Sequence, residues 1–437
     1  MQGISGRSQD GSRKGRPQEV RRLLRRDDEE VQHVQLQEGG DLMGRDIDIE
    51  VRHLTRVEGH GNIYLNARSG KVEKVLWEVD EAPRFFEAMV RGKSYHQLSH
   101  ITSRICGICS ISHSLASLKA TEAAMGVEIS KQTELLRRLA LYGENLQSHT
   151  LHVGYLVAPD LLGAGSVIPL VKTAKEAVVK IVGLHRTANM LSEAICGRAT
   201  HPITLEVGGF TEIPTERALL GMREELENAK GVCTDVAGVV LAHADRLPDF
   251  TRETEFIALT NDENYAFYDG DLGSTDGGRW PVEEYLSITN EYVVPHSTAK
   301  YTRHNRESYM VGALARFNLN HAMLSKEAME VAGMFGLKPV CHNPFMNNVA
   351  QLVEIMDSLV DSIGIIDELL DRGLEEESGE IEVRAGRGVG AVHAPRGLLI
   401  HDYTIDGLGN CTKANCIIPT NQNHANIQKD MEEITLT

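Results

Sequence analysis

The first patterned stretch of the chain alternates between apolar and polar residues, which predicts β-strands. Between Asp46 and Val79 the runs IDIEVRHL, GNIYLNA and KVEKVLWEV follow a period of two, and Arg68-Ser69-Gly70 forms a turn between the last two runs. Side chains of a strand point alternately to its two faces, so this period is typical of half-buried strands. We therefore predict a small antiparallel sheet with a hairpin over residues 46–79.

A helical period follows further along the chain. Leu135, Leu139, Tyr142 and Leu146 recur at spacings of four, three and four, which puts them on one face of a helix that should end before Pro159. Further long helices are predicted over residues 167–195, 215–246 and 347–372. Hairpins are predicted in residues 261–296 and strands in residues 380–423. The fold class is therefore α+β, a bundle of long helices with small antiparallel sheets.

The first 42 residues differ from all that follow, because they hold eight Lys or Arg, eight Asp or Glu and no aromatic residue. Such a segment buries too little apolar surface to offset the entropy of ordering it. We expect residues 1–42 to be a disordered tail or an upstream mis-start, with Met43 as the true first residue, and residues 43–437 to be the functional domain. A basic arm for a partner is the alternative.

Composition narrows the class of protein. The 437 residues include 45 Lys or Arg and 62 Asp or Glu, so the formal charge is −17, which argues against nucleic acid or an anionic membrane as the main partner. No apolar run approaches the roughly 18 residues of a membrane span. An odd number of scattered cysteines, seven in all, favours a reducing compartment. These features predict a cytoplasmic location.

The strongest chemical signal is the pair Cys106 and Cys109 in RICGICSISH. The CxxC spacing brings two thiols to one metal or to each other, Arg104 favours the thiolate form, and His113 follows one helical turn later. Because the context is helical, we interpret the pair as soft ligands of a transition metal rather than a thioredoxin-type motif. A buried pair without a ligand, a zinc site and a redox disulfide remain alternatives.

Three other features are weaker. Cys411 and Cys416 lie five residues apart in a predicted strand, so their side chains should point to opposite faces and not share one ion. Glu58 lies at a bend between two strands, and its simplest interpretation is a surface ion pair with Arg56. Arg396 precedes a strand that should be buried, so its guanidinium needs an anion or a site to point into.

These segments together resemble the large subunit of nickel–iron hydrogenases, most closely the cytoplasmic group-3 type, the alpha subunit of NADP-linked sulfhydrogenases. The resemblance covers essentially all of residues 46–430. The motifs that carry it, in the family's order, are LTRVEGHG (54–61), PRFFE (83–87), SRICGICSISH (103–113), YVVPHSTAK (292–300), MVGALARFNLN (310–320), HNPFMNN (342–348), APRG (394–397) and ANCIIPTNQN (414–423).

The resemblance implies that Cys106 and Cys109 ligate a nickel that is bridged to an iron carrying CO and two cyanides. His113 resembles the histidine that hydrogen-bonds the bridging thiolate, and Glu58 the carboxylate that takes the proton when dihydrogen is split. Arg396 resembles the arginine above the open coordination site of the two metals.

The resemblance also implies a pocket lining and a second metal. Pro395 matches a residue that lines the same pocket, and Thr420 a hydroxyl residue that hydrogen-bonds a cyanide. Glu87 matches the carboxylate ligand of a buried magnesium ion, and the backbone carbonyl of Cys416 falls where the family supplies a second oxygen ligand.

Two departures from the family pattern stand out. The family's second motif, DPCxxC followed by a histidine, does not occur before the sequence stops, and His393 stands where a glutamate usually precedes APRG. Three explanations are a truncated or frame-shifted record, a split large subunit whose missing segment is a separate polypeptide, and a degenerate non-catalytic homologue that serves as a scaffold.

The function that the resemblance implies is reversible oxidation of dihydrogen coupled to NAD(P). Electrons would leave through a small subunit with iron–sulfur clusters and through diaphorase subunits with FAD and NADP. Maturation factors would insert the nickel–iron centre.

Overall fold

The computed structural model of the chain describes residues 46–52, 54, 56–69, 71–80, 85–377, 379 and 381–436. The expectations for residues 1–42 lie outside this part of the chain. The strands are β1 (Ile47–Val51), β2 (Gly61–Arg68), β3 (Lys71–Val79), β4 (Leu205–Glu206), β5 (Gly209–Phe210), β6 (Glu255–Thr260), β7 (Asp271–Ser274), β8 (Arg279–Trp280), β9 (Tyr309–Met310), β10 (Gly386–Ala394), β11 (Gly397–Ile405) and β12 (Cys411–Ile417). The α-helices are α1 (Phe85–Val90), α2 (Tyr95–Thr102), α3 (Ser110–Met125), α4 (Lys131–Leu151), α5 (Ala158–Leu161), α6 (Val167–Thr173), α7 (Lys175–Cys196), α8 (Glu216–Leu241), α9 (Tyr285–Thr289), α10 (Ala313–Asn320), α11 (Lys326–Met334), α12 (Asn347–Arg372) and α13 (Pro419–Leu436).

The alternating N-terminal segment forms the predicted sheet, in which β2 pairs with β1 on one side and with β3 on the other, all antiparallel. The β2–β3 turn contains Ser69 in the left-handed region, at φ 51°. The buried ring of Trp77 on β3 donates a hydrogen bond from Nε1 to Nδ1 of His424 on α13, at 2.9 Å. The sheet is thus attached to the last described helix.

The main core lies among the long helices α4, α7, α8 and α12. Leu135, Leu139, Tyr142 and Leu146 of α4 are all buried in it, as their spacing predicts. Helix α12 occupies the predicted range 347–372 from end to end. No helix of the described residues has both the length and the apolar character that crossing a membrane requires.

Two helix predictions were wrong in their extent. The helix at α4 does not end before Pro159 but passes through a π-helical stretch, His152–Val157, into α5, which contains Pro159. The predicted helix over 167–195 is interrupted at Ala174, whose φ of −139° is not helical.

Two predictions of β-structure were only partly right. Hairpin β7–β8 occurs within 261–296, but residues 285–289 form α9. The strands predicted for 380–423 give way to α13 at Pro419, where proline suits the first helical turn.

The C-terminal sheet has the order β10-β11-β12, and its first strand packs on α3 through glycines. A Cβ atom on Gly386, Gly388 or Gly390 would overlap backbone atoms of α3 at Ala124, Ala120 or Ala116. These alternate glycines share one strand face. Because glycine has no side chain, the backbones of α3 and β10 can come into direct contact.

The prediction that Cys411 and Cys416 point to opposite faces of a strand is wrong. Cys411 pairs with Ile405 and Cys416 with His401 on β11, and a bulge at Thr412 restores both cysteines to the same buried face. Their pairing partners are four residues apart, or about 13 Å along the strand, so the two thiols still do not share an ion. Both are free thiols.

Candidate metal centre

The Cys106–Cys109 pair lies between two helices. Helix α2 leads through the 3₁₀ turn Ser103–Ile105 to Cys106, and α3 begins directly after Cys109. The two Cα atoms are 5.4 Å apart, the sulfurs are joined as a disulfide, and the Cys109 N–H donates to Cys106 Sγ at 3.0 Å. Both side chains are nearly buried. The chain therefore presents two sulfur atoms side by side at the start of a helix.

Glu58 and Arg396 meet at this pair from distant parts of the chain. Glu58 Oε2 lies 3.4 Å from Cys106 Sγ and accepts a hydrogen bond from Arg396 Nη2 at 2.9 Å. Arg396 Nη1 lies 3.8 Å from Cys106 Sγ and 3.7 Å from Cys109 Sγ. The expected anion for Arg396 is thus Glu58. The interpretation of Glu58 as a surface partner of Arg56 is wrong, because Arg56 pairs with Asp160 at 3.0 Å instead.

A buried ion pair holds the turn that carries Arg396. Arg316, fully buried on α10, donates to the carbonyls of Ala394 and Pro395 at 3.0 Å each. The same guanidinium donates to both carboxylate oxygens of Glu354 at 2.6 and 2.7 Å. Burial alone raises the pKa of Glu354, but the charge and hydrogen bonds of Arg316 outweigh it and lower the pKa to about 2. A permanent ion pair therefore holds this turn.

A second buried carboxylate, Glu144 on α4, caps the helix that follows the cysteines. It accepts hydrogen bonds from the backbone N–H groups of Ile111 and Ser112 at 2.5 and 3.0 Å and from the Ser112 hydroxyl. These donors belong to the positive end of α3 and favour the carboxylate. Burial prevails and raises the pKa of Glu144 to about 7. Glu144 is not among the residues predicted from the sequence, since its position opposite the apolar stripe of α4 predicts exposure.

His113 lies one turn into α3, and its backbone N–H donates to the Cys109 carbonyl at 3.1 Å. Its ring contact in the structure is with another histidine, since His113 Nδ1 lies 3.1 Å from His401 Nε2. Burial, with the charge of Arg396, lowers the pKa of His113 to about 3, so the ring is neutral. The hydrogen bonds described for this part of the chain do not include one from His113 to Cys109 Sγ.

The predicted magnesium residues are neighbours. The backbone N–H of Cys416 donates to Glu87 Oε1 at 3.0 Å, which ties α1 to β12.

Pro395 is buried next to Arg396, and its carbonyl is one of the two held by Arg316. Thr420 is exposed in the first turn of α13, and no hydrogen bond described for these residues joins it to the cysteines.

Two sulfurs from CxxC are a soft donor set, which suits nickel, iron or zinc. No group of three or more His, Cys, Asp or Glu side chains able to hold a metal ion occurs in the part of the chain that the structure describes. A closed tetrahedral zinc site is therefore not built from these residues. Two thiolates beside a carboxylate and a guanidinium do fit half of the ligand set of a nickel–iron centre.

Comparison with known proteins agrees with this donor set. The family of nickel-dependent hydrogenases matches residues 84–192. The alpha chain of sulfhydrogenase 2 from Pyrococcus furiosus is 32% identical over 380 residues, which cover 85% of this chain and 87% of that protein. The beta chain of the NAD-reducing hydrogenase HoxS from Cupriavidus necator is 27% identical, with 87% and 86% covered. Among solved structures, an NAD+-reducing [NiFe]-hydrogenase in the H2-reduced state superposes with a TM-score of 0.79, at 26% identity, and 88% of this chain and 91% of that chain are covered.

Proposed function

This chain belongs to the nickel-dependent hydrogenases, and we propose that it is the large subunit that holds a nickel–iron centre and catalyses reversible cleavage of dihydrogen. The observation that carries the proposal is the meeting of Glu58 and Arg396 at the Cys106–Cys109 pair. A CxxC pair with a purely structural role has no need of a proton acceptor and a fixed cation at its sulfurs.

Cys106 and Cys109 would hold the metals as thiolates once the disulfide between them is reduced. The nickel–iron centre, when bound with its CO and cyanide ligands, supplies the electrophilic site at which the H–H bond is polarised and split. The chain's part is to fix its two sulfurs at one end of α3 and to keep a guanidinium within 3.8 Å of both. Arg396 thereby stabilises negative charge on the sulfurs.

Glu58 would move the proton. Its Oε2 is within 3.4 Å of Cys106 Sγ, close enough to receive a proton from that sulfur with a small movement. The side chain is 40% exposed, so the proton can continue to solvent. The hydrogen bond from Arg396 Nη2 keeps the carboxylate turned toward the sulfur. His113 would support a thiolate from the other side, Pro395 would line the pocket and Thr420 would donate to a cyanide.

The proposal includes a magnesium ion at Glu87 and the carbonyl of Cys416. The contact between these two residues supports it, because it brings a carboxylate and a strand backbone together at one point. Both donors are oxygens, which magnesium prefers over sulfur. Glu87→Gln should lower the magnesium content of the purified protein, whereas the same change at Glu382 should not.

The partners belong to the proposal as well. We infer a small subunit with iron–sulfur clusters and diaphorase subunits with FAD that deliver electrons to NADP. The support is that both relatives described above are subunits of larger hydrogenases and that HoxS and the solved structure are NAD-reducing enzymes. We infer a cytoplasmic location, which agrees with five free cysteines among the seven.

The experiment is metal analysis of the full chain co-expressed with partner subunits and hydrogenase maturation factors, together with dihydrogen-dependent reduction of a viologen dye. Wild type and the control Cys341→Ser should hold nickel and iron and reduce the dye, because Cys341 is a free thiol whose described backbone hydrogen bonds are with Asn318. Cys106→Ser should hold neither metal. A wild-type chain with partners but no metal would overturn the proposal in favour of a non-catalytic scaffold, and one zinc per chain would favour a plain zinc site.

A further inference from the structure

Behind the cysteines, four buried side chains form one continuous line of hydrogen bonds. His113 Nδ1 lies 3.1 Å from His401 Nε2, and His401 Nδ1 lies 2.7 Å from the Tyr403 hydroxyl. The Tyr403 hydroxyl lies 3.2 Å from Ser117 Oγ and also hydrogen-bonds Thr102. Each of the four residues is at most 1% exposed, so water does not compete for these contacts. We refer to His113, His401, Tyr403 and Ser117 as the imidazole chain.

Each ring of the imidazole chain carries one N–H. Both rings are fully buried and no carboxylate is among the hydrogen-bond partners described for them, so a charged ring would lack a counter-ion and both rings are neutral. A neutral imidazole donates from one nitrogen and accepts at the other. If His401 donates to His113, the single proton of His113 is on Nε2, and if His113 donates to His401, that proton is on Nδ1. The hydrogen bonds of the imidazole chain can therefore run in two directions, or senses, which differ in whether Nε2 of His113 carries a proton.

In one sense the Tyr403 hydroxyl donates to His401 Nδ1, His401 Nε2–H donates to His113 Nδ1, and His113 carries its proton on Nε2. In the other sense Tyr403 donates to Ser117 or Thr102 and accepts from His401 Nδ1–H. His401 Nε2 then accepts from His113, whose Nε2 is bare. Only the first sense gives His113 a free N–H.

The chemistry of the groups favours the first sense. A phenol is a better proton donor than an imidazole N–H, and an imidazole nitrogen is a better acceptor than a serine hydroxyl. The 2.7 Å contact of Tyr403 with His401 is also shorter than its 3.2 Å contact with Ser117. The nearby Cys416 sulfur is a weak acceptor and competes little for the Tyr403 proton.

We propose that Tyr403 is a positioning residue that, through His401, fixes the tautomer of His113 with its proton on Nε2. Side chains of a helix lean toward its N-terminus, so the ring of His113 leans toward Cys109, one turn earlier. An N–H on that side donates to a thiolate, whereas a bare nitrogen repels it. The consequence for the metal centre rests on the proposed function, but the tautomer itself does not.

The test is nitrogen-15 NMR of histidine-labelled, reduced, metal-free full-length chain at pH 7, with the signals of His113 assigned by a His113→Gln variant. The chemical shifts and couplings of the two ring nitrogens report which one is protonated. Wild type should show His113 protonated on Nε2. Tyr403→Phe should reduce the preference for this tautomer roughly fivefold, the equivalent of one neutral hydrogen bond.

Ser117→Ala and Thr102→Val decide between the senses. Each should leave the His113 tautomer unchanged, because neither hydroxyl is the acceptor of the Tyr403 proton. Tyr285→Phe is the matched control, since it removes another buried tyrosine hydroxyl, bonded to Asp402 at 2.8 Å and outside the imidazole chain.

A wild-type His113 protonated on Nδ1, an unchanged tautomer in Tyr403→Phe, or a reversal in Ser117→Ala or Thr102→Val would each overturn the proposal. Because the readout needs no metal, it is independent of whether the chain proves to be a hydrogenase. If Tyr403→Phe does not fold, the wild-type and Ser117→Ala spectra still decide the question.

Discussion

The buried ion pair beneath the Arg396 turn gives a prediction of large size. Glu354 is fully buried and accepts hydrogen bonds from Arg316 at 2.6 and 2.7 Å, from His149 Nε2 at 2.7 Å and from Tyr265 at 2.8 Å. Glu354→Gln keeps the shape but removes the negative charge. The Arg316 guanidinium then stays buried without a counter-ion, which costs about 3–5 kcal/mol of unfolding free energy.

The melting midpoint is the direct measurement of this cost. With an unfolding entropy of ~2.1 cal/mol/K per residue, a domain the size of Asp46–Thr437 should lose roughly 4–6 °C. Glu382→Gln is the matched control, because Glu382 pairs with Arg384 at side-chain exposures of 75% and 61%. An exposed pair contributes at most ~1 kcal/mol, so this variant should melt within about 1 °C of wild type.

The pH dependence provides an independent check. The pKa of Glu354 is lowered to about 2, so its contribution is present above the ordinary glutamate pKa of roughly 4.3 and is lost as the pH falls toward 2. The difference between wild type and Glu354→Gln should therefore be constant from pH 7 to about 4.5 and shrink below that. A loss no larger than that of Glu382→Gln, or a difference that persists unchanged to pH 2.5, would refute the reasoning.

Three other predictions concern the site and its support. Arg396→Lys should lower dihydrogen-dependent dye reduction by about 10²-fold at unchanged nickel content, because one ammonium replaces the two nitrogens that contact the sulfurs and Glu58 separately. Activity within threefold of wild type would contradict this. Wild type should lose roughly 3 kcal/mol of stability between pH 4.5 and 7, because the pKa of Glu144 is raised to about 7 and the folded state resists its ionisation. Glu144→Gln should not show this loss, and melting midpoints of the two proteins that change in parallel with pH would refute the prediction. Gly388→Ala should cost at least ~3 kcal/mol or abolish soluble expression, because its Cβ overlaps the α3 backbone, whereas Gly407→Ala, with no atom within 4 Å of its Cβ, should have no effect; equal melting midpoints for the two variants would count against this packing.

Local regularity was readable from the sequence wherever the spacing of apolar residues was unbroken. Helix α12 and sheet β1–β3 follow from such spacing. The interruptions were not readable. The π-helical stretch after α4 and the bulge at Thr412 each insert or shift one position, and nothing in the residue types there marks it. The wrong faces assigned to Cys411 and Cys416 came from that bulge alone.

The candidate site was readable in its parts but not in its assembly. The CxxC spacing pointed to Cys106 and Cys109 without any structure. The contact of Arg396 with Cys109 spans 287 residues, and only tertiary packing brings the two together. Glu144 was missed because it lies on the side of α4 opposite the apolar stripe, so the pattern predicts exposure, whereas tertiary packing buries both sides of this helix.

The glycine face of β10 has a consequence for how the site tolerates change. Helix α3 starts just after Cys109, and β10 runs directly into the Arg396 turn, so the contact between these two backbones sets the gap between the main chain at Cys109 and at Arg396. A contact made of main chain has no rotamers with which to repack. Substitutions in the surrounding helical core can be absorbed by side chains there without changing this gap. Substitutions can therefore accumulate in most of the core while the distance between these two main-chain segments stays the same.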